Sequence, residues 1–207
     1  MANDQLLAQT IASEMRTMIL TQKYPAGSEL NQEKIAAQFH VSRTPIRQVL
    51  HILAEEGLIT LRKNRSAIVN EQTDQNIRDH FEIRGLLEAK AAAFAAQRGT
   101  DFSKLTEIMN KSMEAEHGDH SAWEMCNLEF HREVWRLADC PKLEQLIQQV
   151  WNSPSYVKEQ SLLNRRIMAN KDHKWIYEAI IARDADLASL LMTRHIVKRN
   201  MENFNLK

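Results

Sequence analysis

The run Ser42-Arg43-Thr44-Pro45-Ile46-Arg47-Gln48-Val49-Leu50 constrains the fold of this chain more than any other stretch. Ser42 has the side chain of an N-cap, and Pro45 is tolerated in a first turn, where backbone N–H groups have no intrahelical partner. Arg43 and Arg47 are four apart and share a face, with the Thr44 hydroxyl beside them. Ile46, Val49, Leu50 and Leu53 mark the opposite face as apolar. A short helix that buries one side and presents two guanidinium groups near its N-terminus suits the major groove of DNA. Taken alone, the same pattern would also fit a solvated surface helix.

The flanking segments separate these readings. Leu6, Ile11, Met15, Met18 and Ile19 recur at helical spacing, and Tyr24-Pro25-Ala26-Gly27 ends that helix. Asn31 is placed to cap a second helix, from Gln32 to Phe39, and His40-Val41 is a tight connection into the basic helix. Two short helices joined by a few residues read as a helix-turn-helix. Gly57 is a C-terminal stop. Leu58 to Leu61 and Ala67 to Val69 then read as a hairpin whose tip, Arg62-Lys63-Asn64-Arg65-Ser66, is basic. The expected unit is a winged helix-turn-helix with a wing that reaches a minor groove or phosphates.

Residues 6–70 resemble the winged helix-turn-helix domain of GntR-family transcription regulators. The resemblance runs in order through Tyr24 to Leu30, Ile35-Ala36, Val41 to Arg47, Leu53, Glu56 to Ile59 and Asn64-Arg65. It implies that Ser42, Arg43, Thr44 and Arg47 meet DNA from the recognition helix, with Asn64 and Arg65 at the wing tip. Two positions depart from the family pattern. Ser66 stands where glycine is usual, and Glu33 stands where some relatives carry a basic DNA contact. The operator preference of relatives is therefore not carried over.

Charge is unevenly spread along a chain that is neutral overall. Residues 1–70 hold eight Lys/Arg against six Asp/Glu, whereas residues 71–207 hold nineteen against twenty-one. Five basic residues and two acids lie between Arg43 and Arg65, a footprint modest for one copy and sufficient for two. Binding to a palindromic double-stranded operator as a homodimer, with strong salt dependence, is the expected mode. The two cysteines, Cys126 and Cys140, suggest no disulfide framework, so a reducing cytoplasm is expected. There is no signal-peptide pattern, and no stretch approaches the roughly twenty apolar residues of a membrane helix.

The 207 residues are long enough for two modest domains, and a polar boundary near Asn70 to Asp74 divides them into residues 1–72 and 73–207. Beyond it the pattern is helical almost throughout. Segments from Ile77 to Arg98, Ser103 to His117, Trp123 to Leu137, Leu143 to Val150, Ser155 to Met168, Asp172 to Ala182 and Ala185 to Asn203 make an all-α bundle of about seven helices. The fold class is thus mostly α: a winged helix-turn-helix followed by a helical bundle.

Among the eight histidines, three have a distinctive placement. Asn127 and His131 are four apart on one helix, His173 begins a later helix, and His195 lies in the last. Three imidazoles and an oxygen from three helices would make an acceptable transition-metal site, although ordinary hydrogen-bonded histidines are the commoner reason for such residues. Residues 74–207 also resemble the FCD ligand-sensing domain of the FadR subfamily. The carrying residues are Glu82 to Glu88, Asn127 to His131, His173, Ile176, Ala179-Ile180, Asp184, Ala188, Met192 and His195. This resemblance implies a divalent metal, zinc or nickel, on His131, His173 and His195, with Asn127 at the position of the family's aspartate. A neutral amide is a poorer donor than a carboxylate. It also leaves the ion's full charge to attract an anionic effector. Arg84 is placed for a bidentate pair with that effector, a small carboxylate, or for a salt bridge to Glu88 four residues on.

The leading functional reading is a dimeric regulator, a repressor by family habit, whose operator binding responds to a small organic acid. A metal-dependent hydrolase is the reading from another class, since three histidines with an open position activate water. No catalytic residue is assigned, because no His-Glu-x-x-His motif occurs and a DNA-binding half is foreign to a hydrolase. A third reading keeps the regulator but gives it a structural or absent metal and an apolar effector.

Overall fold

The computed structural model describes residues 2–20, 22–63, 66–71, 73–118, 120–151 and 162–203. They form two compact units that part between Ile77 and Arg78.

In the first unit, α1 (Ala2–Leu20) is followed by β1 (Glu29–Asn31), α2 (Gln32–Gln38), α3 (Arg43–Glu55), β2 (Ile59–Leu61) and β3 (Ser66–Val69). Asn31 caps α2, its Oδ1 accepting from the amides of Glu33 (2.8 Å) and Lys34 (3.2 Å). The turn between α2 and α3 is made at His40, which takes a left-handed φ of 53°. Ser42 occupies the N-cap position of α3 with extended backbone, but its side chain makes no capping hydrogen bond. That corrects the capping role expected of its hydroxyl.

Gly57 takes φ 72° directly after α3, which lets the Leu58 amide reach back to the Leu53 carbonyl at 3.0 Å. The chain is thereby turned into the wing. The β2–β3 hairpin pairs antiparallel, Ile59 with Val69 and Leu61 with Ala67. A third strand, not legible from the sequence, completes the sheet in the order β1-β3-β2, with Leu30 opposite Ala67. Three residues are too few for an alternation signal, so β1 is defined only by its partner. Met15, Leu30, Ile46, Val49, Leu50, Leu53 and Ala67 form the centre of the core and are essentially inaccessible. The apolar face read on α3 is thus the face it buries.

The second unit contains six helices among the described residues: α4 (Asp74–Arg98), α5 (Ser103–Ala115), α6 (His120–Leu137), α7 (Pro141–Trp151), α8 (Leu162–Ile181) and α9 (Ala185–Asn203). Thr73 caps α4, its Oγ1 accepting from the Asn76 amide at 3.1 Å. Pro141 opens α7 in the position where its missing N–H costs nothing. The alanines of α4 (Ala89, Ala91, Ala92, Ala95, Ala96) are buried. A Cβ on Gly85 would lie 2.7 Å from the Val197 side chain, so glycine here permits the close approach of α4 and α9.

Residues read as two segments, Ser155 to Met168 and Asp172 to Ala182, are joined from Leu162 to Ile181 in one helix; residues 152–161 lie outside the described ones. Asn170, a poor helix former, is accommodated because all of its amide is used in the core. Its Oδ1 accepts from Ser112 Oγ (2.7 Å) and Trp123 Nε1 (3.0 Å), and its Nδ2 donates to the Ser112 carbonyl (2.9 Å) and Glu116 (3.0 Å). Cys126 and Cys140 are free and half-buried. Among the described residues no helix is long and apolar enough to cross a membrane.

Candidate functional site

The basic helix α3 presents Ser42, Arg43, Thr44 and Arg47 on its exposed side, while Pro45, Ile46, Val49, Leu50 and Leu53 anchor the other. Arg43 is engaged: its Nη1 donates to Glu33 Oε1 at 2.6 Å, across from α2. Arg47 has no ionic partner among the described residues. Asn64 and Arg65, expected at the wing tip, lie outside the described residues. Ser66 opens β3 as a buried strand residue paired with Asn31, in a backbone conformation that does not require glycine.

The three histidines singled out in the sequence come together in the second unit. His131 from α6, His173 from α8 and His195 from α9 are all buried, and each offers one ligand atom within 4.8 Å of the others. His173 Nε2 and His195 Nε2 are 3.1 Å apart. Phe130 stacks on the His173 ring with centroids 4.1 Å apart, and Trp151 lies against His131 at 4.8 Å. Asn127 is half-buried one helical turn before His131.

Residues that sequence reasoning did not place in the site surround this cluster. Glu88, fully buried on α4, accepts from His131 Nδ1 (2.6 Å) and Trp135 Nε1 (3.2 Å) on one oxygen and from Arg84 Nε (2.7 Å) on the other. Asp172 faces His195 Nδ1 at 3.4 Å and accepts from Arg199 at 2.6 and 3.1 Å. The Arg84 guanidinium carbon also sits 4.1 Å from the centre of the Trp151 ring. The salt bridge considered for Arg84 is therefore present, and it brings Arg84 within one carboxylate of His131. The four-residue spacing of Arg84 and Glu88 was the available signal. Asp172 had none, because its partners come from α9.

The electrostatics favour the neutral ring at His173 and His195. Burial pushes the Glu88 carboxyl upward, but His131 and Arg84 together outweigh it and hold the group at about 2. Asp172 is likewise raised by burial and brought to about 2 by His195 and Arg199. Burial, followed by the neighbouring His195 and His131, drives His173 well below the ordinary imidazole range. His195 is lowered by burial, against an upward pull from Asp172. Three buried nitrogen donors of this kind fit a divalent transition ion such as zinc or nickel.

Comparison with known proteins matches residues 7–69 to the bacterial regulatory proteins of the gntR family and residues 79–198 to the FCD domain. The chain belongs to the GntR family and carries an FCD domain. This GntR-family protein is a DNA-binding transcription regulator. It is 28% identical over 186 residues to the Nta operon transcriptional regulator of Aminobacter aminovorans, covering 87% of each chain. It is 32% identical over 162 residues to the gluconate operon transcriptional repressor of Bacillus subtilis, covering 74% of this chain and 62% of that protein. The Exu regulon transcriptional regulator of Escherichia coli is 28% identical, with 96% of this chain and 85% of that protein covered. Among solved structures, E. coli McbR/YncC shares the fold with a TM-score of 0.72 at 19% identity, over 96% of this chain and 97% of that one.

Proposed function

We propose that this regulator is a homodimeric repressor of the FadR subfamily that releases or engages a palindromic operator in response to a small carboxylate. Ser42, Arg43, Thr44 and Arg47 read the major groove, and Asn64 and Arg65 follow the flanking groove or backbone. His131, His173 and His195, with Asn127, hold a divalent ion, and Arg84 binds the effector. The observation that carries this reading is the buried His131–His173–His195 cluster, one carboxylate away from Arg84. A bound divalent ion supplies positive charge and an open position for a carboxylate oxygen. The three imidazoles orient that charge and Arg84 supplies donors for the rest of the anion. The names of the gluconate and Exu relatives support a sugar-derived acid as the class.

Control requires only that the effector favour one arrangement of the dimer over another. The hydrolase reading gains no support, since Glu88 and Asp172 are already committed as acceptors to imidazole and guanidinium. Calorimetry of the zinc-loaded protein with gluconate, a panel of small hydroxy acids and dodecanoate tests the reading. Saturable heat with the hydroxy acids, lost in Arg84→Ala, is expected. Binding of dodecanoate alone would replace it with an apolar effector.

A further inference from the structure

Two of the three imidazoles carry a carboxylate on the side away from the cluster, and among the described residues the third does not. The same order of groups occurs twice, from different helices: Arg84, Glu88, His131 and Arg199, Asp172, His195. In each, the carboxylate accepts from an arginine and faces a ring Nδ1; Glu88 also accepts from Trp135 Nε1. An ionised carboxylate only accepts, so the ring nitrogen facing it is the one that carries hydrogen. A neutral His131 and a neutral His195 then both have a bare Nε2. Because His195 Nε2 is bare, the 3.1 Å approach of His173 Nε2 requires His173 to donate. That leaves His173 Nδ1 as a bare acceptor, and this buried atom has no hydrogen-bond partner among the described residues.

We propose that Glu88 and Asp172 are positioning residues that fix His131 and His195 as Nδ1–H tautomers, while His173 rests as the opposite tautomer and must change to act as a ligand. This rests on reading the cluster as a metal site, but the tautomer assignment is a property of the metal-free chain. The carboxylates set which nitrogen of His131 and His195 is available, and the arginine on each keeps it oriented. His173 is held differently, by the stacked Phe130 ring on its face. To offer Nε2 it transfers its hydrogen to Nδ1, where no acceptor lies within hydrogen-bond reach among the described residues. His173 is therefore the ligand whose engagement costs most.

Long-range 1H–15N spectra of the full chain labelled at histidine, first metal-free and then with zinc, test this. The expected result is Nδ1–H for His131 and His195 throughout, and a change from Nε2–H to Nδ1–H for His173 on adding zinc. Zinc competition with a chromophoric chelator should show Glu88→Gln and Asp172→Asn each weakened about 10–100-fold, the range for outer-shell partners. The Glu88→Gln spectrum should also show His131 losing its single tautomer, which a purely structural role would not produce. An Nε2–H tautomer at His131 or His195 in the unmutated chain overturns the proposal without any variant having to fold. So do zinc affinities within threefold of the parent in both folded variants. Tautomers as assigned in a chain that takes up no zinc would remove the metal reading and uphold the hold of the carboxylates on the rings.

Discussion

Arg43 on the recognition helix is ion-paired to Glu33 at the start of α2, with Nη1 and Oε1 2.6 Å apart. Both side chains are largely exposed, at 59% and 72%, so the pair is worth little to stability and is easily exchanged for a DNA contact. Its consequence lies in binding, since it removes one net positive charge from the face proposed to meet phosphates. Glu33→Gln should tighten binding to non-specific DNA and steepen the salt dependence by about one unit of slope, as one more cation becomes available. Arg43→Ala and Arg47→Ala should each weaken specific binding by about 1–3 kcal/mol if the lost contact is a bidentate base contact. Anisotropy titrations against KCl concentration read both effects. An unchanged slope in Glu33→Gln would mean that Arg43 does not face the duplex.

The winged unit is also fastened by Arg16 of α1, whose Nε and Nη2 donate to Glu56 just beyond α3 at 2.8 and 2.5 Å. Both side chains are only 9% exposed. Breaking such a pair from one side leaves a buried charge without its partner, so Arg16→Ala should cost roughly 3–5 kcal/mol. Replacing both, as Arg16→Met with Glu56→Leu, should recover most of that loss. Urea unfolding followed through the first unit measures the difference. Equal stability of the single and double variants would show that the charge is not what the site requires.

His80 on α4 gives a pH dependence with a definite sign. Burial, aided by the neighbouring Arg84, lowers its pKa from 6.5 to about 4. Between those values the unfolded chain binds a proton that the folded chain does not, so stability rises with pH across the window and falls on acidification. His173 and His195 are shifted in the same direction and add to the slope in the parent protein. Unfolding midpoints at pH 5 and pH 7 should therefore differ less in His80→Asn than in the parent. An identical difference in both would place His80 in contact with solvent.

The sequence made the recognition helix legible because burial and charge there follow one helical period, from Ile46 to Leu53 on one side and Arg43 to Arg47 on the other. Asn31 as a cap and Gly57 as a stop were readable for the same reason: each acts on residues a few positions away. The strand Glu29–Asn31 was not, since its identity comes from pairing with β3 across a long loop. The division within the site is similar. His131, His173 and His195 were chosen from spacing and resemblance, and the structure brings them together. Glu88 and Asp172 meet their histidines 43 and 23 residues away, so the sequence marked Glu88 only as a partner of Arg84 and Asp172 not at all.

Asn127 is the position where one added charge would alter the site most. It lies one turn before His131 on α6 and carries a neutral amide, while Glu88 and Asp172, the carboxylates that meet the cluster's rings among the described residues, are each paired with an arginine. On the proposed ligand set, Asn127→Asp adds an anion to the three imidazoles. It should tighten zinc binding, because an ionised oxygen is a stronger donor to a hard-to-borderline cation than an amide oxygen. The same charge reduces the net positive field that an anionic effector meets, so carboxylate affinity should fall as metal affinity rises. Chelator competition for zinc and calorimetry with gluconate on the zinc-loaded variant measure the two quantities separately. Tighter zinc with unchanged gluconate binding would detach the effector from the metal and leave Arg84 as its principal contact.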